Sequence, residues 1–439
     1  MPLTNHFDLF GGQPHLPRRV LLVEAARGAA AVYVCLYHVN LIGHLAESFK
    51  WGKILFYPFI FGQQVVFLFF FLSGFSIHYS SHNRPLETIG GIGHYYYLRL
   101  RRIYPIFLMA VGLSIALGAL TSFLGIISEV PRHRGWQDLF FDLVFMGDIH
   151  GGGWHPELAN NGALWSLSYE IPYYLVYPLF WRYCKKLGIE RTFLFALLGS
   201  IVFILADCVQ ANHVSNVFSL YWLWACGALM AEWKFTDKSF NISPVAYYFV
   251  VFLCYAVSQS AEAVANPVIH WNLDSLVIGV VIFSTFICFQ PMLISKRILA
   301  AGGIITLMFA SLWVTRNVPT WGRHVFLTAR LVLAAGFLAW FVVTGKNIAS
   351  VCRILARPFL KAGAISYALY VIHTPILFFM TDILHYSGVS IYWLPVVLLV
   401  IFPMAWWLEV QFQPYSASWL DRMRAKLTGV FRPAPNPLT

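Results

Sequence analysis

The chain has 439 residues, of which 59% are hydrophobic, 17% aromatic and only 11% charged. A soluble domain carries about a quarter charged residues, so the composition excludes one and points to a polytopic membrane protein. The net charge of +11 does not mark a nucleic-acid binder, because the basic residues fall in alternate short loops, the positive-inside pattern.

Spans are expected near 20–41, 57–78, 103–127, 165–183, 192–210, 217–233, 244–260, 271–290, 298–315, 325–344, 363–383 and 391–410. Runs of about 17–25 apolar residues cross some 30 Å of hydrocarbon as helices. The fold class is therefore an all-α transmembrane bundle of about ten to twelve spans. Lys and Arg concentrate in one set of loops, Arg84 to Arg102 and Lys346 to Lys361 among them. That asymmetry puts both termini in the cytoplasm and makes the span count even. Three segments are expected: a cytoplasmic stretch 1–19, a membrane domain 20–415 and a cytoplasmic tail 416–439 ending in Pro-rich "RPAPNPLT". No cleaved signal peptide is expected, since residues 1–19 are polar. The seven cysteines lie mostly inside apolar runs with no CxxC spacing, and read as small packed hydrophobes. No metal-ligand set is expected.

The first span, "VLLVEAARGAAAVYVCLYHVN" (20–40), is interrupted by Glu24, Arg27 and His38. A charged side chain near the centre of a span costs about 2.5–3.5 kcal/mol on insertion scales. Glu24 and Arg27 are i,i+3 neighbours and can offset part of that by pairing. Arg27 and His38 are eleven residues apart, about three turns and 16.5 Å along the axis, so they share one helical face. The residues serve either bundle locking or function.

Further along, "FFFLSGFSIH" (69–78) puts Ser73 in the second span, where small residues permit close helix packing. "YYYLRLRRIYP" (95–105) places Arg99, Arg101 and Arg102 at the entrance of the third span. Arg99 and Arg102 are i,i+3, so two guanidinium forks face one way, which suits phosphate as well as lipid headgroups. The loop near 128–164 is expected to face outward, and its Trp, His, Asp and Gly suit a sugar ligand or a plain connector. "GALWSLSYEIP" (162–172) carries Trp165, Ser168 and Glu170. An acid in that setting must be protonated, hydrogen-bonded or matched by a cation from another helix. "ISYALYVIHTPI" (365–376) adds Tyr367, His373 and Pro375. A proline there needs a neighbour to satisfy the carbonyl it frees.

Taken in order, these islands resemble the acyltransferase-3 family of membrane O-acyltransferases. Its opening pattern is an acid, Arg-Gly three residues on and His eleven after the Arg, which Glu24, Arg27, Gly28 and His38 fit. "FFFLSGF", Arg99-x-x-Arg102 before Tyr104-Pro105, "LWSLSYE" and "ISYALYVIH" resemble the motifs that follow. Departures occur at Phe67, where the family usually has an acid, and at "EVQFQP" (409–414), an imperfect match to its closing Glu-x-Pro.

The resemblance implies transfer of an acyl group, by family frequency acetyl, from cytoplasmic acyl-CoA to a hydroxyl of an extracytoplasmic or lipid-linked glycan. Acyl-CoA would be a co-substrate rather than a tightly bound cofactor, and the partners would be membrane lipid and the saccharide acceptor. His38, toward the outer face of the expected cell membrane, is the natural base. Arg27, Glu24 and Glu170 accompany it, Arg99 and Arg102 bind the donor, and Ser73, Trp165, Ser168, Tyr367 and His373 support. Glu170 would either orient His38 or stabilise Arg27. The alternatives are a transporter or exporter of a polysaccharide precursor, which uses intramembrane charge for passage, and a non-catalytic scaffold.

Overall fold

A computed structural model of the chain describes residues 18–43, 59, 62–82, 86–126, 136–147, 160–235, 272, 357–385 and 393–428. Every regular element among them is helical: α1 (Arg18–Gly43), α2 (Gly62–Ser81), α3 (Ile89–Phe123), α4 (Trp136–Leu143), α5 (Trp165–Leu187), α6 (Ile189–Val209), α7 (His213–Ser219), α8 (Tyr221–Phe235), α9 (Ser366–His385), α10 (Trp393–Trp406) and α11 (Gln413–Thr428). A short helical stretch, Arg357–Ala364, precedes α9 at a bend of 75°. A 3-10 turn (Gly162–Leu164) leads into α5, and a π-helical segment (Trp407–Phe412) joins α10 to α11.

Five helical stretches are long and apolar enough to cross a membrane, or six with the bent pair before α9 counted as one span. The spans expected near 244–260, 271–290, 298–315 and 325–344 lie outside the described residues, Asn272 apart, as do most of the 128–164 loop and the Pro-rich end.

Several boundaries differ from the sequence reading. The third helix starts at Ile89 rather than near 103, because Thr88 caps it by accepting from the Gly91 N–H at 3.0 Å. Its 35 residues span about 52 Å, longer than some 30 Å of hydrocarbon, so Arg99 and Arg102 lie about three turns after the start of the helix. The expected 217–233 span divides at Leu220, with the short α7 opened by a capping box between Asn212 and Ser215. Gly188, at φ +85, lets α5 turn into α6. The last helix, α11, extends to Thr428. It is held on α3 by an Arg101–Asp421 ion pair and by Tyr97 OH donating to Asp421 at 2.6 Å.

The core is aromatic. Tyr169, Tyr173 and Tyr177 of α5 are at most 1% exposed and pack with Phe67 and Phe70 of α2 and Trp224 of α8. Phe67, in place of the family's usual acid, is simply part of this core. Two backbone crossings set the helix positions. A Cβ on Gly28 would stand 2.1 Å from Phe359 O, and one on Gly363 2.3 Å from Glu24 O, so α1 touches the Arg357–Ala364 helix backbone to backbone. Gly74 and Gly227 do the same for α2 and α8, at 1.9 Å from Trp224 O and 2.0 Å from Phe71 O.

Prolines sit inside α3, α5 and α9, and each removes the N–H that would satisfy the carbonyl four residues earlier. For three of the five helix-interior prolines among the described residues, Pro172 and Pro403 being the others, a side chain from elsewhere supplies the missing donor. Gln413 Nε2 donates to Arg101 O at 2.9 Å for Pro105, and Tyr95 OH to Tyr174 O at 3.2 Å for Pro178. Asn161 Nδ2 donates to Val371 O at 3.0 Å for Pro375. The expectation for Pro375 thus extends to three helices.

The Gly28 contact gives a test. Gly28→Ala forces α1 off its neighbour and is expected to destabilise by about 1–3 kcal/mol. An added methyl at Gly199 meets nothing within 4 Å, so Gly199→Ala should be neutral or stabilising by up to about 1 kcal/mol. Thermal unfolding of both variants in detergent micelles measures the contrast.

Candidate active site

Glu24 and Arg27 lie one turn apart on α1 and pair at 3.6 Å, as the i,i+3 spacing requires. The glycine crossing at Gly28 brings this turn against the Arg357–Ala364 helix that precedes α9. Arg27 thereby reaches a cavity of about 140 Å³ whose walls also carry Ser73, Arg99, Arg102, Glu170 and Tyr367. Six residues singled out in the sequence, drawn from five helices, thus converge on one space.

Within it the charges are arranged unequally. Tyr174 OH donates to Glu170, and since that uses its only proton, Ser73 Oγ donates to Tyr174, 3.0 Å away. Arg99 passes over the Tyr95 ring at 5.4 Å and gives Nη2 to Ser80 Oγ at 3.2 Å. Its Nε is buried without a hydrogen-bond partner among the described residues. Such a donor costs free energy unless a ligand accepts from it.

Arg102 does not present the open fork that the i,i+3 spacing implied. Its guanidinium is closed on Glu409, with Nη1 at 2.6 Å and Nη2 at 3.1 Å from the two carboxylate oxygens. Glu409 Oε1 also accepts the Ala368 N–H at 3.2 Å. That N–H lies in the first turn of α9, where helix donors have no intrahelical acceptor. Arg102 therefore lines the cavity as a fixed charge and secures the bend before α9. Arg101 points away, to Asp421. Tyr367 OH donates to Ile103 O at 3.1 Å, and its ring lies 5.7 Å under Arg102.

His38 and His373 are not among the residues that line the cavity. They form a pair of their own, His373 Nε2 standing 3.0 Å from His38 Nδ1. The hydrogen bonds assign the protons. Leu369 O, 3.1 Å from His373 Nδ1, can only accept, so neutral His373 is protonated there. Its Nε2 then accepts from His38 Nδ1–H, which also faces Val34 O at 3.0 Å. The lone pair of His38 is left on Nε2. Tyr370 joins the two regions: it lines the cavity, and its ring centroid is 5.9 Å from that of His373.

Glu170 shares its cavity with Arg27 and Arg99, whereas neither His38 nor His373 lines it. Trp165 packs on Tyr169 and Phe70, at 5.3 and 6.2 Å between centroids, as part of the aromatic wall. Ser168 is buried, whereas Ser166 and Ser366 line the cavity instead.

Sequence reasoning missed Glu409 as a site residue, seeing only an imperfect closing motif. A lone carboxylate in an apolar helix demands a cation, and that signal could have found it. It also missed Asn161, which accepts from Thr374 Oγ1 at 2.7 Å beside His373.

The acyltransferase-3 family model, described as an acyltransferase domain, matches residues 21–410, and the chain belongs to this family. Among curated proteins it is similar to "Acyltransferase MdmB" of Streptomyces mycarofaciens, 26% identical over 185 residues, which are 40% of this chain and 43% of that one. It also resembles an uncharacterized protein of Haemophilus influenzae, 25% identical over 167 residues, 36% of this chain and 66% of that one. The matches thus span less than two thirds of either relative. No solved structure matches the chain.

Glu409 is 3% exposed at its side chain and Arg102 39%. Arg102→Leu leaves a buried carboxylate uncompensated and is expected to cost about 3 kcal/mol, the lower end for such pairs because one partner is half open. The double variant Arg102→Leu/Glu409→Leu should recover a good part of that, as read by thermal unfolding.

Proposed function

We propose that this protein is an integral-membrane O-acyltransferase that moves an acyl group, acetyl in the first instance, from cytoplasmic acyl-CoA to a hydroxyl of an extracytoplasmic or lipid-linked glycan. The observation that carries the reading is the arginine-lined cavity standing one ring, Tyr370, from a histidine pair with a defined proton arrangement. Family membership and the acyltransferase name of one relative support the same class.

In this reading His38 Nε2 takes the proton of the acceptor hydroxyl as its oxygen attacks the thioester carbonyl carbon. The carbon–sulfur bond then breaks, and the imidazolium returns its proton to the departing CoA thiolate. His373 does not touch the reacting atoms; by accepting from His38 Nδ1 it holds the tautomer that leaves Nε2 basic. Arg99, with its unpartnered Nε, takes the anionic part of the donor, and Arg27 stands beside it. Glu170 balances the charge of these two arginines, while Arg102 stays closed on Glu409. The protein works in the cell membrane as a multi-pass enzyme with both termini in the cytoplasm, so donor and acceptor approach from opposite faces. Acyl-CoA comes and goes as a co-substrate.

The test uses purified protein in liposomes with labelled acetyl-CoA and a cell-envelope glycan extract. Label is expected on glycan with wild type and is expected to fall about 10²–10⁴-fold with folded His38→Ala, the usual contribution of a general base. Failure of wild type to bind or consume acyl-CoA would sink the reading in favour of the exporter. Arg99→Ala is expected to weaken donor binding about 10- to 100-fold, since hydrogen bonds to charged groups contribute about 1.5–3 kcal/mol, with Arg101→Ala closer to wild type. Equal losses in a titration of acyl-CoA binding would remove Arg99 from the donor site.

A further inference from the structure

Five residues beyond Ser73 on α2, about 7.5 Å along its axis, a second cluster faces α8. His78 and His82 are i,i+4 neighbours and so project from one face of the helix, a spacing visible in "HYSSH" (78–82). Glu232 of α8 meets both. Its Oε2 lies 3.0 Å from His78 Nε2 and 3.0 Å from His82 Nδ1. The three potential ligand atoms lie within 4.8 Å of one another, and none of the three residues lines the arginine cavity.

We infer that His78, His82 and Glu232 form a divalent-metal site, separate from the acyl-transfer site, whose ion is zinc. Two imidazole nitrogens and one carboxylate oxygen are a donor set zinc takes with a fourth position left for water. With bonds of about 2.0–2.1 Å, tetrahedral ligand atoms stand about 3.3–3.4 Å apart. Two of the present separations are within a few tenths of an ångström of that value. The third closes by rotation of His82, whose side chain is 23% exposed.

The surroundings hold the ligands in place. Tyr177 OH lies 3.3 Å from His78 Nδ1, the kind of outer hydrogen bond that orients a metal-ligating histidine and sets its tautomer. The His82 ring stacks on Phe235 at 4.1 Å between centroids. The interlocked Gly74 and Gly227 fix the spacing of the α2 and α8 backbones, so only the His82 side chain has to move when an ion arrives. Bound there, zinc would fasten α2 to α8 at the end of the helix whose Ser73 reaches the cavity.

The experiment takes the full chain purified without a histidine tag, exposes it to zinc, removes loose ion by desalting and measures zinc per polypeptide. A parallel sample is loaded with cobalt(II) and its visible spectrum recorded. The expected result is one retained zinc per chain and the intense absorption of four-coordinate cobalt. Glu232→Gln and His82→Ala are expected to lose the ion. Tyr177→Phe, which keeps the ring and all three ligands, is expected to weaken binding about 10- to 100-fold. If wild type retains no zinc, or if Glu232→Gln and His82→Ala retain it equally, the site is refuted and the three side chains are a hydrogen-bonded cluster. If those two variants do not fold, the wild-type zinc content and cobalt spectrum decide alone. Metal content is read independently of acyl transfer, so either idea can fail without the other.

Discussion

The bundle around the cavity turns on one buried carboxylate. Glu409 receives both terminal nitrogens of Arg102 and the Ala368 N–H, and so binds three separate pieces of chain together: α3, the start of α9 and the π segment before α11. A carboxylate in apolar surroundings is tolerable only when several donors surround it. The bend of 75° before α9 exposes N–H groups that a straight span would have satisfied internally. Each feature is expensive alone, and each supplies what the other lacks. The wider π turn places Glu409 on the inner side of its helix, a use to which such segments are often put.

The same logic governs the prolines. Backbone groups left open at membrane depth are tolerated where protein, rather than lipid, surrounds them. Gln413, Tyr95 and Asn161 meet the three carbonyls freed by Pro105, Pro178 and Pro375. Two of these donors, Tyr95 and Gln413, link α5 and α11 to α3, and the third binds the segment before α5 to α9. The irregular backbone is therefore held by side chains of neighbouring elements, none of which lines the cavity itself. A site for a charged donor and a hydroxyl acceptor needs fixed dipoles in a dry setting, and this interior provides them.

Not all of the arginines have the same task. Arg101 anchors α11 through Asp421, Arg102 secures the bend through Glu409, and Arg99 lines the cavity with a buried Nε that has no partner among the described residues. Three basic residues within four positions of one helix thus divide between scaffold and site according to which carboxylate each can reach. The histidine pair is likewise a product of helix crossing. His38 of α1 and His373 of α9 meet where those two helices pack, next to the crossing of α1 with the Arg357–Ala364 helix at Gly28 and Gly363.

Composition and apolar periodicity alone determined that the chain is helical and crosses a membrane. Local spacing determined the Glu24–Arg27 pair, since neighbours three apart on a helix must face one another. The motifs in order carried the family, and six of the residues they marked do line one cavity. Tertiary structure decided what spacing could not. Arg99 and Arg102 have the same i,i+3 relation as Glu24 and Arg27, yet the distant Glu409 closes the Arg102 fork while Arg99 gives one terminal nitrogen to Ser80. His373 could be read as a packed core residue until α9 brought it within a hydrogen bond of His38. The reason is the same in each case: helical periodicity places a side chain on a face, whereas its hydrogen-bond partner, hundreds of residues away in sequence, is selected by how helices cross.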